Sequence, residues 1–310
     1  MEYPITSAYD GMEIKTYFYG VLHFSTRILK RLKYRCDGQG ILVNGEPQNV
    51  RYRLRAGDVL TLRLEDSEGS QHIAPCELPL PVLYEDDDLI VVNKPPHMPT
   101  HPTHGHLDDT VANALAAYYA RRSRPFVFRP GSRLDRDTSG ILPVAKNQQA
   151  ANHLYRCHRS GLTDKQYDVI VRGCPDPPQG VIDLPIRRAA DSVIMRVAGD
   201  GGSPARTEYR TVKTVTGPDG KTVSLVRAVL RTGRTHQLRV HFSAIGCPVV
   251  GDTLYGGEEM ARYPRQAVHC AGLSFPHPTS GETLVFTVPL PDDLAALLPP
   301  DGTEADRMEE

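Results

Sequence analysis

The chain has 310 residues, of which 40% are hydrophobic and 24% are charged, a composition that predicts a globular protein of about two domains and excludes fibrous and low-complexity classes. The formal net charge is −1, so a polyanion would have to be bound by local basic patches rather than attracted by the molecule as a whole. No apolar run approaches the roughly 18 residues of a membrane helix, and the N-terminus lacks a signal-peptide pattern, so we expect a cytoplasmic protein without membrane contact.

The first predicted elements form a small basic module. Residues 23–36 repeat apolar and basic positions with the spacing of a helix. Residues 41–64 are expected to form strands, with Asn44 and Gly45 at a tight hairpin turn. Taken alone, the basic side chains of the helix are typical of a solvated face. They are Arg27, Lys30, Arg31, Lys33 and Arg35.

A second domain is predicted after a linker. Residues 66–81 are polar and then proline-rich without periodicity, which places a domain boundary near residue 75. The strands beyond it outnumber the helices and do not alternate with them regularly, which favours an α+β architecture over a doubly wound parallel sheet. The predicted strands are 89–92, 141–146, 166–173, 206–214 and 222–231, and the predicted helices are 109–120, 147–161 and 235–246.

The helices carry predictions at the level of single residues. Asp109 is expected to cap the first helix of this domain. Gly161 and Gly246 are expected to end the second and the third. Helical spacing also predicts which side chains face inward. For the second helix these are Ala151, Leu154, Tyr155 and His158, and for the third they are Leu238, Phe242 and Ile245.

The densest cluster of chemically active side chains is the charged turn 131–140, which runs into an apolar strand. Alternating arginine and aspartate beside a buried strand is unfavourable unless the charges pair or act. On the residues alone, a salt-bridge network in a loop is the more common explanation. The alternative makes one aspartate a nucleophile or general base held by the neighbouring arginines.

A second cluster, residues 231–241, places three arginines and two histidines at the end of a strand and the start of a helix. Free N–H groups at a helix N-terminus and arginine side chains suit phosphate, so this cluster is either an anion site or a solvated basic turn. Arg239 follows the inward-facing Leu238. If it is partly buried, it needs a carboxylate partner.

Four histidines between residues 97 and 106 have the most metal-like spacing in the chain. No carboxylate stands at a fixed helical offset from them, and prolines flank His101, so a loop over a cleft is favoured and no metal is expected. The six cysteines lie far apart without a C-x-x-C pair, which predicts neither a thiolate zinc site nor a disulfide framework. The four histidines are His97, His101, His104 and His106.

Several motifs in order resemble one enzyme family. The central motif of the RluA family of RNA pseudouridine synthases, of which RluD is a member, closely resembles RLDRDTSGILPVAKN. Supporting similarities are LYEDDDLIVVNKPPHMPTHP, KQYDVIVRG and TGRTHQLRVHFSAIGCPVVGDTLYG, so that the resemblance spans roughly residues 80–290. Residues 12–64 resemble, more weakly, the S4-type RNA-binding module that often precedes this catalytic domain. One departure is Ser132, where the family commonly has histidine.

The resemblance implies the fold and the reaction. The expected organisation is an S4-like RNA-binding module over residues 1–70, a linker over 71–80, a synthase domain over 81–295 with a mixed, largely antiparallel sheet, and an acidic tail over 296–310. Such enzymes isomerise uridine to pseudouridine by breaking the N1–C1′ bond, turning the base and rejoining it through C5. They need no cofactor, and the expected substrate is ribosomal or transfer RNA bound by a monomer.

The resemblance also assigns roles to residues. Asp135 would attack C1′ or assist formation of a glycal intermediate, and Arg239 would pair with it and keep it ionised. Tyr167 would stack on the uracil and take part in proton transfer, although a core aromatic is the commoner fate of such a residue. Asp137 is interpreted as an ion-pairing residue.

Further residues are expected to contact RNA. Arg133 would fill the space left by the extruded base or contact phosphate, since a uridine inside a helix has to be flipped out before reaction. Leu238 would pack beside the base. Arg234, His236 and Gln237 complete the predicted substrate contacts. Within an S4-like module, the basic side chains of the helix over residues 23–36 would contact the RNA backbone.

Two rival functions remain open on the sequence. In the first, the protein is an RNA-binding or ribosome-assembly protein whose synthase domain only holds RNA. A pure binder has no need of a buried carboxylate in an RNA-facing cleft, which argues against this. In the second, a hydrolytic nucleosidase uses the same carboxylate and admits water, so that it releases free uracil instead of conserving mass.

Overall fold

The structure is a computed structural model that describes residues 2–22, 24, 26–34, 39–63, 70, 72–256 and 263–299, without the side chains of residues 27, 31 and 34. The N-terminal part is a four-stranded sheet, in the order β1-β4-β2-β3, with two helices packed on it. Its elements are β1 (Glu2–Pro4), α1 (Ile14–Gly20), α2 (Thr26–Tyr34), β2 (Ile41–Val43), β3 (Glu46–Pro47) and β4 (Val59–Leu62).

This module has a core of its own. Phe18 of α1 and Leu32 of α2 pack against Leu60 and Leu62 of β4, and all four are at most 1% exposed. The predicted hairpin turn is confirmed: β2 and β3 pair antiparallel across Asn44 and Gly45, which both have positive φ angles (51° and 85°). Such angles match the twist of a two-residue hairpin, and asparagine and glycine tolerate them.

The remaining elements form the second part of the chain. They are β5 (Val82–Glu85), β6 (Leu89–Lys94), α3 (Val111–Ala120), β7 (Ser139–Ala145), α4 (Gln148–Arg159), β8 (Asp164–Arg172), β9 (Gln179–Asp183), β10 (Ile186–Arg188), β11 (Arg196–Ala198), β12 (Arg206–Thr216), β13 (Thr222–Leu230), α5 (Gln237–Ala244), α6 (Thr253–Gly256), β14 (Val268–Pro276), β15 (Thr283–Thr287) and α7 (Asp292–Ala295).

A nine-stranded mixed sheet is the framework of this part. Its order is β5-β6-β7-β14-β8-β13-β12-β9, with β15 pairing β14, and every pair is antiparallel except β7 with β14. Strand β7 is buried along its whole length, as expected for a strand covered on both faces. The predicted α+β architecture with a mixed, largely antiparallel sheet is confirmed.

Gly140 permits the one parallel pairing. It has a φ of 115°, and a Cβ at this position would lie 2.3 Å from the carbonyl oxygen of Cys270 on β14. Only glycine allows β7 and β14 to approach this closely. The turn that precedes β7 is thereby held against the centre of the sheet, where β14 and β8 lie side by side.

Three of the helix predictions need correction. Thr110, not Asp109, caps α3 in a reciprocal bond with Asn113, because the helix begins one residue later than expected. The inward face of α4 consists of Ala150, Leu154 and Cys157, whereas the predicted Tyr155 is 59% exposed. Ile245 is 36% exposed because α5 ends at Ala244. The glycine stops at 161 and 246 are confirmed, with φ of 73° and 75°.

The predicted linker runs along the second part of the chain. Ser70 exchanges hydrogen bonds with the backbone of Phe126 and Phe128, and Asn113 donates to the carbonyl of Ala74. The side chains of Glu77 and Arg121 form an exposed ion pair. In the described part of the chain, no helix is both long enough and apolar enough to cross a membrane.

Candidate active site

A cavity of about 580 Å³ opens beside the charged turn before β7. It is lined by three segments: the loop 99–106, the turn 130–136 and the loop 230–235 after β13, together with Lys165 and Tyr167 of β8. A smaller pocket of about 60 Å³, called the inner recess below, adjoins it and shares Asp135 with it, and Arg239 and Leu238 lie in its wall. The two sequence clusters, 131–140 and 231–241, are therefore brought together around one site.

The turn that carries Asp135 is held by buried polar side chains from distant segments. The Lys94 ammonium group, fully buried at the end of β6, donates to the carbonyls of Pro95, Met98 and Arg136 at 2.8–2.9 Å. Thr100 donates to the carbonyl of Leu134 at 2.9 Å. Because fully bonded buried polar groups fix local geometry, the backbone on both sides of Asp135 has one conformation.

Two further contacts hold the end of this turn. The Arg265 guanidinium donates to the carbonyl of Asp137 at 3.0 Å and pairs with Asp293 at 2.6 Å. Gln266 donates to the Thr138 hydroxyl at 2.9 Å. Burial lowers the pKa of Lys94 to about 7, although the nearby Asp137 and Asp135 carboxylates oppose the shift. Sequence reasoning missed these supports because they lie up to about 130 residues away from the turn, as Arg265 does from Asp137.

Arg239 lies between two aspartates. Its Nε and Nη2 donate to the two oxygens of Asp252 at 2.6 and 2.8 Å, and its Nη1 lies 3.5 Å from Oδ2 of Asp135. The side chain of Asp252 is fully buried, whereas that of Asp135 is 32% exposed and faces the cavity. Asp252 thus fixes the guanidinium in a bidentate pair, and Asp135 receives its remaining edge.

The pair with Asp135 was expected and the partner Asp252 was not. The prediction that a partly buried Arg239 needs a carboxylate could have led to it, since Asp252 is an aspartate near the end of the third motif. Burial alone disfavours the charged guanidinium, but the bonds to Asp252 and the field of Asp135 outweigh it, so the pKa of Arg239 is raised. Arg239 is permanently cationic in this site.

Tyr255 of α6 closes the other side of Arg239. Its ring centroid lies 5.0 Å from the guanidinium carbon, and its hydroxyl bonds Nδ1 of His236 at 2.9 Å. His236 has a φ of 57°, in the left-handed region where residues other than glycine are strained. Several groups influence the pKa of His236, and burial, the largest influence, lowers it. The ring is therefore neutral at pH 7. His236 lines the inner recess as a neutral imidazole.

Tyr167 stands on β8, where it lines both the cavity and the inner recess and is 5% exposed. Burial raises the pKa of its phenol well above the usual value, and Cys270 and Asp135 raise it further. The phenol is therefore protonated at neutral pH. Its hydroxyl is within hydrogen-bonding reach of the Cys270 thiol, and its ring is the surface that it offers to the site. This geometry suits packing against a base better than taking up a proton.

The other predicted substrate contacts differ in what they can reach. Arg133 and Arg234 are exposed and line both the cavity and the inner recess. Leu238, 5% exposed, forms part of the inner recess. The side chain of Gln237 is bonded to Thr232, to the backbone N–H of Arg234 and to strand β12, so that it holds the loop before α5; its predicted contact with substrate stays a prediction.

Asp137 pairs with Arg136 and with Nδ1 of His97 at 2.9 Å, in agreement with its interpretation as an ion-pairing residue. The histidine loop has the carboxylate partners that the sequence did not show, since His106 bonds Asp109 at 2.6 Å. No cluster of His, Cys, Asp and Glu within the described ranges could hold a metal ion. The hydroxyl of Ser132 is buried and has no hydrogen-bond partner among the described residues.

The basic helix is described only in part. Lys30 and Lys33 of α2 are exposed, and so are Arg51, Arg53 and Arg55 beyond it. The side chains of Arg27 and Arg31, and the whole of Arg35, lie outside the described residues. The described members of this set, Lys30, Lys33, Arg51, Arg53 and Arg55, line neither the cavity nor the inner recess.

Residues 88–244 match the family model described as RNA pseudouridylate synthase. The chain is 37% identical to the uncharacterized RNA pseudouridine synthase YjbO of Bacillus subtilis, over 93% of this chain and 98% of that protein. It is 37% identical to ribosomal large subunit pseudouridine synthase D of Vibrio cholerae, over 83% and 82%. Among solved structures, human RNA pseudouridylate synthase domain containing 1 superposes with a TM-score of 0.57 at 31% identity, covering 68% of this chain and 83% of that one.

Proposed function

The chain belongs to the RNA pseudouridylate synthase family, and from this premise we propose that Asp135 is the nucleophile that isomerises uridine, with large-subunit ribosomal RNA as the substrate class. The observation that carries the assignment is the carboxylate of Asp135 at the cavity wall, 3.5 Å from a guanidinium that Asp252 holds in place. The RNA class rests on the names of relatives such as the Vibrio cholerae enzyme.

In the reaction, the N1–C1′ bond breaks, the uracil turns, and C5 bonds to C1′ while the C5 proton leaves and N1 gains one. Asp135 would either attack C1′ or assist formation of a glycal, and both routes need a carboxylate beside a sugar centre that becomes electron-deficient. Arg239 lies 3.5 Å from that carboxylate, which keeps its negative charge stabilised when the base is absent.

The inner recess would receive the base. Tyr167 and Leu238 supply apolar surface on its walls, against which the uracil would pack, and the Tyr167 phenol stays protonated. Tyr167 would therefore position the base rather than act as the general base of the C5 proton transfer. Arg133 and Arg234, which line the cavity, would contact the RNA backbone or fill the space that the extruded base leaves.

Residues 1–70 would bind RNA outside the cleft as an S4-like module, with Lys30 and Lys33 among its backbone contacts. The separate core of this module supports a boundary between it and the synthase domain at 81–295, joined by the segment 71–80. We expect a monomer with an intracellular site of action beside the ribosome. No cofactor enters the proposed chemistry.

The test is a comparison of RNA from cells with and without this gene. Loss of pseudouridine at one or more uridines of large-subunit ribosomal RNA, restored by the wild-type protein, is the expected result. Purified protein incubated with that RNA should form pseudouridine without change of mass. Free uracil would indicate a nucleosidase, and tight binding without either product would indicate an RNA-binding protein.

A further inference from the structure

Lys165 is a basic side chain at the cavity that the proposed reaction does not use. It stands on β8 two residues before Tyr167, so that both side chains leave the same face of the strand about 6–7 Å apart along the chain. Lys165 lines the outer cavity together with Arg133 and Arg234, but it is absent from the wall of the inner recess. It therefore borders the cavity outside the recess that Leu238 and Arg239 line.

No described residue is hydrogen-bonded or ion-paired to the Lys165 ammonium group. Burial lowers the pKa of Lys165, and the nearby Cys270 opposes this shift. Burial also raises the pKa of the Cys270 thiol to about 11, so Cys270 carries no negative charge at neutral pH. The other ionisable neighbour is His158, which lines the same cavity and supplies no negative charge. The carboxylates nearby are engaged: Asp135 faces Arg239, and Asp164 pairs with Arg231 at 3.0 Å. A partly buried ammonium without a counterion is unfavourable, so an anion in the cavity would stabilise it.

We propose that Lys165 binds a backbone phosphate of the extruded uridine. This inference rests on the proposed function, since it takes the base into the inner recess and C1′ to Asp135. The phosphates of a nucleotide are attached to the ribose on the side away from the base, which here is the outer cavity. A phosphate there would meet Lys165 on β8, opposite the exposed Arg133 and Arg234 of the loops.

The position of Lys165 gives it a different role from the two arginines. Arg133 and Arg234 are exposed on loops and can follow the RNA surface. Lys165 stands on a central strand beside Tyr167 and is only partly exposed, so a contact between its ammonium group and a phosphate would be stronger than on the open surface. Lys165 is in this view a positioning residue that sets how deeply the nucleotide enters.

The experiment first uses the wild-type protein to find the RNA segment in which it forms pseudouridine, and then measures Kd and single-turnover rates on that segment. The variants are Lys165→Met, Lys165→Arg and, as a matched control, Lys221→Met in the exposed turn between β12 and β13. Lys165→Met should weaken binding at least tenfold and lower the slope of log K against log salt by about 0.7–0.9, the value for one phosphate. Lys165→Arg should recover most of the affinity, and Lys221→Met should match the wild type.

A second measurement changes the RNA instead of the protein and is made first on the wild-type protein. Replacement of the 5′ or the 3′ phosphate of the target uridine by a neutral methylphosphonate should weaken binding by the wild-type protein at one of the two linkages. The same replacement should have no further effect on Lys165→Met. The proposal is wrong if neither linkage matters more than one outside the target nucleotide, or if the two losses add. Absence of pseudouridine with the wild-type protein would instead refute the proposed function itself.

Discussion

Replacement of Arg239 by methionine should damage stability and reaction rate separately. The variant leaves the fully buried Asp252 without its guanidinium, although the backbone N–H groups of Leu254 and Tyr255 still donate to it. Removing one partner of a buried pair costs about 3–5 kcal/mol. At about 2–4 °C per kcal/mol for a domain of this size, the melting temperature should fall by roughly 6–20 °C.

The effect on the rate follows from the distance to Asp135. Two charges 3.5 Å apart attract by about 5 kcal/mol at an effective dielectric constant of about 20. Solvent screening reduces this value, because the side chain of Asp135 is about one-third exposed. If about 3 kcal/mol of this interaction acts in the transition state, the single-turnover rate should fall about 10²-fold.

A double variant separates the two effects. Arg239→Met with Asp252→Asn removes the buried charge that the single variant leaves unpaired, so it should recover much of the lost melting temperature and none of the lost rate. Thermal unfolding and single-turnover assays at saturating RNA measure both quantities on the same samples. A single variant with unchanged stability, or a double variant with wild-type activity, would refute the reasoning.

Three further outcomes are expected. Asp135→Asn should abolish pseudouridine formation and leave RNA binding intact, whereas Asp137→Asn should keep most of the activity; the reverse order in a product assay would show that the wrong aspartate was assigned. Burial lowers the pKa of His269 from 6.5 to about 4, so the folded state disfavours protonation of this imidazole. The free energy of unfolding should therefore fall by about 3 kcal/mol as the pH falls from 6.5 to 4. Urea titrations at pH 7 and 4.5 should show a smaller loss for His269→Asn, and an equal loss would contradict this. Replacing both Lys30 and Lys33 by glutamine should lower the slope of log K against log salt for RNA binding by about 0.7–0.9 per phosphate contact. The rate at saturating RNA should stay the same. An unchanged slope would identify the two lysines as part of a solvated face.

Local sequence patterns predicted the elements well and their faces less well. The strand over 166–173 was visible from period-two alternation, the strand over 89–92 from a short apolar run that ends before two prolines, and the turn from Asn44-Gly45, because these signals act within a few positions. The face of α4 was displaced by one position, with Ala150 and Cys157 inward instead of Ala151 and His158. Helical spacing gives the stripe of apolar residues, but the strand packed against it decides which of two adjacent stripes is buried.

For the site, the sequence by itself identified the chemical groups: the Asp135 turn, the Arg239 cluster and the Tyr167 strand, through motifs whose order carries the family resemblance. The tertiary structure alone decided their partners. Asp252 holds Arg239, Lys94 holds the turn around Asp135, and Lys165 is left without a counterion among the described residues. Each of these depends on which strand ends meet in the sheet, above all on the parallel pairing of β7 with β14. Long-range register is a property of packing in three dimensions and leaves no periodic trace in the chain.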